Sequence, residues 1–138
     1  AELAHAPENI FSMLTNAEVA LTTMRGVNHP NVGINYDTAN IYFYNEGVDG
    51  VAELRQCLEY VGALHLKETN GKYRAWHFPA LGRGVVKFPE IFALLDKASF
   101  GGPYTLEVEG IEGEEQTERR VCDRIAESVG YLRGLGRL

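Results

Sequence analysis

A few side chains stand where short apolar runs end: Asp37 after Val32 to Tyr36, His65 and Lys67 around Leu66, and Glu107 with Glu109 beyond Leu106. In parallel α/β folds function collects where strands end and loops begin. Glu2 joins this set if the chain begins at the end of a strand. Carboxylates and one imidazole, each brought by a different strand end, make a hard, oxygen-rich donor set. Such a set suits Mn²⁺, Mg²⁺, Co²⁺ or Fe²⁺ better than a thiolate-bound structural zinc. The two-residue period of a strand puts Ala63, His65 and Lys67 on one face. The same parity puts Glu107 and Glu109 on one face, so it does not choose between them.

The elements that must position these residues alternate. Thr15-Asn16-Ala17-Glu18 fits a capping box, with a helix running on to about Val27. Val32 to Asp37 reads as a buried strand, and a polar, tyrosine-rich loop follows. Asp49 can cap a helix from Gly50 to about Tyr60. Ala63 to Glu68 is the next strand, and the 18 residues from Thr69 to Val86 form a long loop. Pro89 suits the first turn of a helix reaching about Lys97. Gly101-Gly102-Pro103 breaks the chain before a strand from Tyr104 to Glu109. Val121, Ile125, Val129 and Leu132 make one apolar stripe on a helix from about Glu115 to Leu135. Alternation of this kind implies an α/β fold, with parallel strands joined by right-handed helical crossovers.

Composition narrows the function classes. The 138 residues suggest one domain, and 45% apolar and 10% aromatic content supply a globular core. A net charge of -6 argues against nucleic acid, whose binding rests on clustered Lys and Arg. No stretch approaches the roughly 18 apolar residues of a membrane helix, and no basic-then-apolar leader is visible. Cys57 and Cys122 have neither metal-ligand spacing nor the density of a disulfide scaffold, so a reducing cytoplasm is expected.

Four segments in order carry a resemblance: Gly33-Ile34-Asn35-Tyr36-Asp37-Thr38-Ala39-Asn40, Leu64-His65-Leu66-Lys67-Glu68, Phe78-Pro79-Ala80-Leu81-Gly82-Arg83-Gly84 and Gly102-Pro103-Tyr104-Thr105-Leu106-Glu107. Together they resemble successive signatures of the sugar isomerase/epimerase family, in the xylose isomerase-like TIM barrel superfamily. The resemblance implies the carboxyl-terminal half of a (β/α)₈ barrel, because a whole barrel takes about 250 residues. The expectation is one truncated domain, residues 1–138, lacking the amino-terminal strands. A complementary amino-terminal half or a second copy of the chain would then cover its open edges.

The resemblance also implies roles. Asp37, His65, Glu107 (rather than Glu109) and Glu2 would hold one divalent ion, Mn²⁺, Mg²⁺, Co²⁺, Fe²⁺ or Zn²⁺. Glu2 and Glu107 would double as the acid–base pair. The ion would stabilise the enediolate left when a proton is taken from the carbon beside a carbonyl. The substrate would be a small sugar or polyol. Asn40, Lys67, Arg74, Trp76 and Glu8 are candidates to touch it, Lys67 being equally able to neutralise the acids. Arg83 between two glycines is a candidate for a phosphate. Asn40 replaces the His of an Asp-x-x-His group in several relatives. Trp76-His77-Phe78 replaces the Asp-Arg-His group of the three-zinc repair enzymes, which argues against DNA repair. The alternatives are a dehydratase of the inosose or dehydroshikimate type and a non-catalytic half-barrel serving binding or assembly.

Overall fold

Asn16 starts the first helix: its Oδ1 accepts the Val19 N–H at 3.0 Å, satisfying one of the donors a helix start leaves unpaired. In this computed structural model, which describes residues 14–138, α1 then spans Ala17–Val27 and buries Ala20 and Met24. The cap is therefore Asn16 rather than Thr15, and Glu18 stands too early in the helix to complete a capping box. Strand β1 is Ile34–Asp37, α2 Asn40–Tyr44, and α3 Gly50–Cys57, capped by Asp49 Oδ1. Leu58–Tyr60 forms a tighter 3₁₀ turn leading into β2, Val61–Leu66. Then come β3 His77–Phe78, α4 Phe88–Lys97, β4 Tyr104–Leu106, β5 Gly110–Ile111 and α5 Glu118–Gly134. The expected stub at Glu2, and with it Glu8, lies outside the described residues.

Three parallel strands form the main sheet in the order β1-β2-β4. One face packs on the helices through Ile34, Tyr36, Leu64 and Leu66, joined by Leu54 from α3 and by Phe88, Ile91, Phe92 and Leu95 from α4. The Tyr36 hydroxyl donates to Gly50 O at 2.6 Å, and burial pushes its phenol well above the ordinary range. The opposite face carries Asn35, Asp37, Ala63, His65, Thr105 and Glu107. This is a (β/α) half-barrel: its parallel strands follow the alternating pattern, and its half-barrel form is the one the resemblance implies.

The structure corrects the sequence reading at four further places. The tyrosine-rich loop contains α2, because Asp37 Oδ1 accepts the N–H groups of Ala39 and Asn40, both at 2.8 Å. The long loop contains β3, which pairs antiparallel with β5. The strand expected to reach Glu109 ends at Leu106, and Gly110 at φ 95° turns the chain back. The last helix begins at Glu118, with Thr117 Oγ1 as its cap, so Glu112 to Gln116 precede it. Its apolar stripe is only partly covered: Ile125 is 40% exposed. Val129 and Leu132 instead border a cavity of about 360 Å³ beside β4, shared with Leu66, Phe92, Tyr104 and Leu106. No helix among the described residues is long and apolar enough to cross a membrane.

Both cysteines are free. Cys57 is buried, and that burial raises its thiol to about 11, which suppresses the reactive thiolate; Cys122 is exposed. Native protein at pH 8 should react with a thiol reagent at Cys122 alone. A second equivalent should appear only after denaturation. Rapid modification of both would contradict the burial of Cys57 at the end of α3.

Candidate metal centre

The parallel register assembles the site. Asp37 pairs with His65 across β1 and β2, and Leu66 pairs with Leu106 across β2 and β4. The Glu107 N–H then bonds Leu66 O at 3.1 Å, so Glu107 follows directly on the carboxyl end of its strand. Thr38 extends this order past the ladder. Its hydroxyl donates to Lys67 O at 2.7 Å and accepts from Lys67 N at 3.0 Å. The three strand ends are thereby fixed to one another by main-chain pairing and by the Thr38 hydroxyl.

Asp37, His65 and Glu107 each aim one donor atom at a common region, and these atoms all lie within 4.8 Å of one another. The two Asp37 oxygens differ. Oδ1 accepts the Ala39 and Asn40 N–H groups in the turn leading into α2; Oδ2 is buried without a hydrogen-bond partner. A locally bonded oxygen and an unpaired buried one thus coexist in one carboxylate. Glu107 Oε2 lies 2.6 Å from His65 Nδ1, yet the contact lacks the angles of a hydrogen bond. Two donors turned to the same point make such a contact. Burial pushes the Glu107 carboxyl up from its ordinary value, and Asp37 and Glu109 add to that against Lys67.

Lys67 holds the acids together. Its side chain is 2% exposed, and Nζ reaches Asn40 Oδ1 at 3.1 Å, Glu107 Oε1 at 3.3 Å and Glu109 Oε2. Asp37 Oδ2 stands further off at 3.6 Å. An ammonium has three donors, so its nearest neighbours account for all of them. Burial alone would depress its pKa, but the surrounding carboxylates outweigh burial and raise it. Of the two roles read from sequence, the geometry displays the neutralising one. Glu109, set aside in favour of Glu107, sits in the same cluster; the shared parity of the two residues was the signal. When all are ionised, three carboxylates and one ammonium leave a local charge of minus two. Buried carboxylate oxygens without a donor are uncommon, yet this cluster has them on Asp37 and Glu107. That donor set fits a hard divalent cation.

One wall of the site is aromatic. The Phe78 ring lies 4.4 Å from Lys67 Nζ, a cation–π distance. Trp76 stands edge-on to Phe78 at 5.2 Å and to Phe43 at 6.2 Å. Asn40 joins the cluster through Lys67. Arg74 does not: its guanidinium lies 5.3 Å over Tyr73, and its N–H is held by Phe43 O. Arg83, the candidate for a phosphate, ion-pairs with Glu127 on α5. A cavity of about 330 Å³ runs beside β1, bordered by Asp37, Asn40 and Tyr44.

Fold and site together define an α/β half-barrel with a candidate metal cluster at the carboxyl ends of its strands. The chain belongs to the xylose isomerase-like TIM barrel family, whose pattern matches residues 4–132. It is similar to a xylose isomerase domain protein from Planctomyces limnophilus, at 29% identity and a TM-score of 0.68, over 86% of this chain and 41% of that one. It is similar in fold to a D-allulose 3-epimerase from Methylomonas sp., at 19% identity and a TM-score of 0.69, over 93% and 45% of the two chains. A probable 3-DHS dehydratase from Bacillus anthracis shares the fold at 19% identity and a TM-score of 0.60, over 83% and 44%. The chain spans less than half the length of each of these. No curated protein matches it.

Removing the Lys67 ammonium would leave its carboxylates facing one another. Lys67→Met should cost about 3–5 kcal/mol of stability in urea unfolding, with part recovered in the double variant with Glu109→Gln. The wild-type contribution should hold below the unfolded lysine pKa of about 10.4 and fade as pH rises through the higher folded value. An unchanged unfolding midpoint would show that Lys67 does not bind the acids together.

Proposed function

We propose that this protein is a divalent-metal-dependent isomerase or epimerase of a small sugar or polyol, acting on the carbon beside a carbonyl. The observation that carries this reading is the convergence of Asp37, His65 and Glu107 with buried carboxylate oxygens left unpaired. These three residues would hold the ion, with Glu2 as a fourth donor from the segment outside the described residues. The bound ion would supply Lewis acidity, polarising the substrate carbonyl and making the adjacent C–H more acidic. Glu107 and Glu2 would take and return the proton from opposite faces; one positioned acid or base is typically worth about 10²–10⁴ in rate. Lys67 holds the Glu107 carboxylate, while Asn40 and the aromatic wall of Trp76 and Phe78 would orient the substrate. The fold shared with a D-allulose 3-epimerase supports the substrate class.

A metal-dependent dehydratase is the second reading, favoured by the fold shared with the probable 3-DHS dehydratase. It would use the same proton abstraction and then expel water.

The first test is mass and metal content measured together, with Mn²⁺ titrated into wild type and His65→Ala. Wild type should bind Mn²⁺, and His65→Ala should weaken binding by more than about tenfold, or 1.4 kcal/mol. A ketose screen in D₂O should then show deuterium entering beside the carbonyl for an epimerase, with no other change in product mass, and a product lighter by one water for a dehydratase. Absence of binding for Mn²⁺, Mg²⁺, Co²⁺ and Zn²⁺ in both proteins would refute the metal reading and favour a non-catalytic half-barrel.

A further inference from the structure

The residue after Lys67 is also a buried acid, with different partners. Glu68 is 1% exposed, and its carboxylate accepts backbone N–H groups: Thr69 and Val86 at Oε1, both at 3.0 Å, and Gly82 at Oε2, at 2.9 Å. Thr69 and Val86 are the two ends of the 69–86 loop, and Val85 N bonds Thr69 O at 2.9 Å beside them. One side chain therefore closes the loop, with charge-assisted bonds of the stronger kind. The packing is close: a Cβ added to Gly84 would lie 2.6 Å from Glu68 Oε1 and nearer still to Thr69 O. Burial pushes the Glu68 carboxyl up, while the backbone donors pull it down.

Successive residues at a strand end face opposite ways. Lys67 turns to the acids of the site and Glu68 to the loop. The same loop returns to the site further along. His77 and Phe78 pair with Ile111 and Gly110, Trp76 O accepts the Glu112 N–H at 2.8 Å, and Phe78 lies against Lys67. The position of the aromatic wall relative to the acids thus depends on the shape in which the loop is closed.

We propose that Glu68 is a positioning residue: its carboxylate fixes the 69–86 loop so that Phe78 and Trp76 stand as a wall beside the Asp37, His65 and Glu107 cluster. The use of that wall for a sugar rests on the function proposed above; the loop geometry does not. A glutamine would offer a single acceptor oxygen and turn an N–H₂ toward backbone donors, so Glu68→Gln removes the clamp with almost no change in volume. Gly84→Ala keeps the carboxylate and wedges the loop away from it.

Trp76 is the sole tryptophan of the chain, so its emission reports on this loop. Acrylamide quenching and Mn²⁺ titration would be measured on wild type, Glu68→Gln and Gly84→Ala. Both variants should raise the quenching constant about two-fold or more, as a locally opened segment does. Their Mn²⁺ affinity should stay within about three-fold of wild type, since neither touches a candidate ligand. Should one variant fail to fold, the other carries the comparison, because they disturb the same contact from opposite sides. A folded variant with wild-type Trp76 emission and quenching overturns the proposal. A loss of Mn²⁺ affinity as large as that of His65→Ala also overturns it, since Glu68 would then support the donors themselves. Wild type that binds no Mn²⁺ defeats the metal reading instead, and Trp76 quenching still decides the role of Glu68.

Discussion

The arrangement depends on one buried ammonium. Three carboxylates brought within reach of each other at the ends of parallel strands would repel strongly in a poorly hydrated setting. Lys67, 2% exposed and reaching Asn40, Glu107 and Glu109, makes their proximity tolerable. It does so from the middle strand, the only place from which one side chain can reach acids on both neighbouring strands. The compensation is partial, and the partiality matters chemically. A cluster balanced to neutrality would have no use for a cation, whereas this one keeps a net negative charge and unpaired oxygens on Asp37 and Glu107.

The strand end at Lys67 and Glu68 serves two structures at once. Facing the open side of the sheet, Lys67 gathers the acids; facing the loop, Glu68 gathers backbone N–H groups. Thr38 fixes the main chain between them by both donating to and accepting from Lys67. Three consecutive kinds of contact, side chain to side chain, hydroxyl to backbone and carboxylate to backbone, therefore meet within two residues. Packing below this point is conventional, with Leu64, Leu66, Leu54 and Phe88 closing the helical face.

Much of this was legible in the sequence because it followed period and position. The alternation of helices and strands, the shared face of Ala63, His65 and Lys67, and that of Glu107 and Glu109 need only period and parity; the choice of Glu107 rests on the family resemblance. What escaped reading depends on contacts between distant residues. Helix α2 follows a turn that Asp37 Oδ1 holds through the Ala39 and Asn40 N–H groups, and the β3–β5 ribbon forms where Gly110 reverses the chain toward His77 and Phe78. Glu68 looked like the end of a strand, since nothing local announces that Gly82 and Val86 will return to it. The stripe on α5 was legible, but what covers it was not: the main sheet ends at β4, so Ile125 and Val129 have no further strand to cover them among the described residues.

The direct pairing of Asp37 with His65 across β1 and β2 has a consequence for quality control during folding. A slip of one residue in a strand turns every side chain to the opposite face. A chain whose first two strands paired one step out would bury Asp37 or His65 against the helices and expose Tyr36 or Leu64. Such a chain would lose both its core and its donor cluster together. Correct sheet pairing and assembly of the cluster are thus a single event, and no misregistered form could retain the chemistry while forfeiting only the fold.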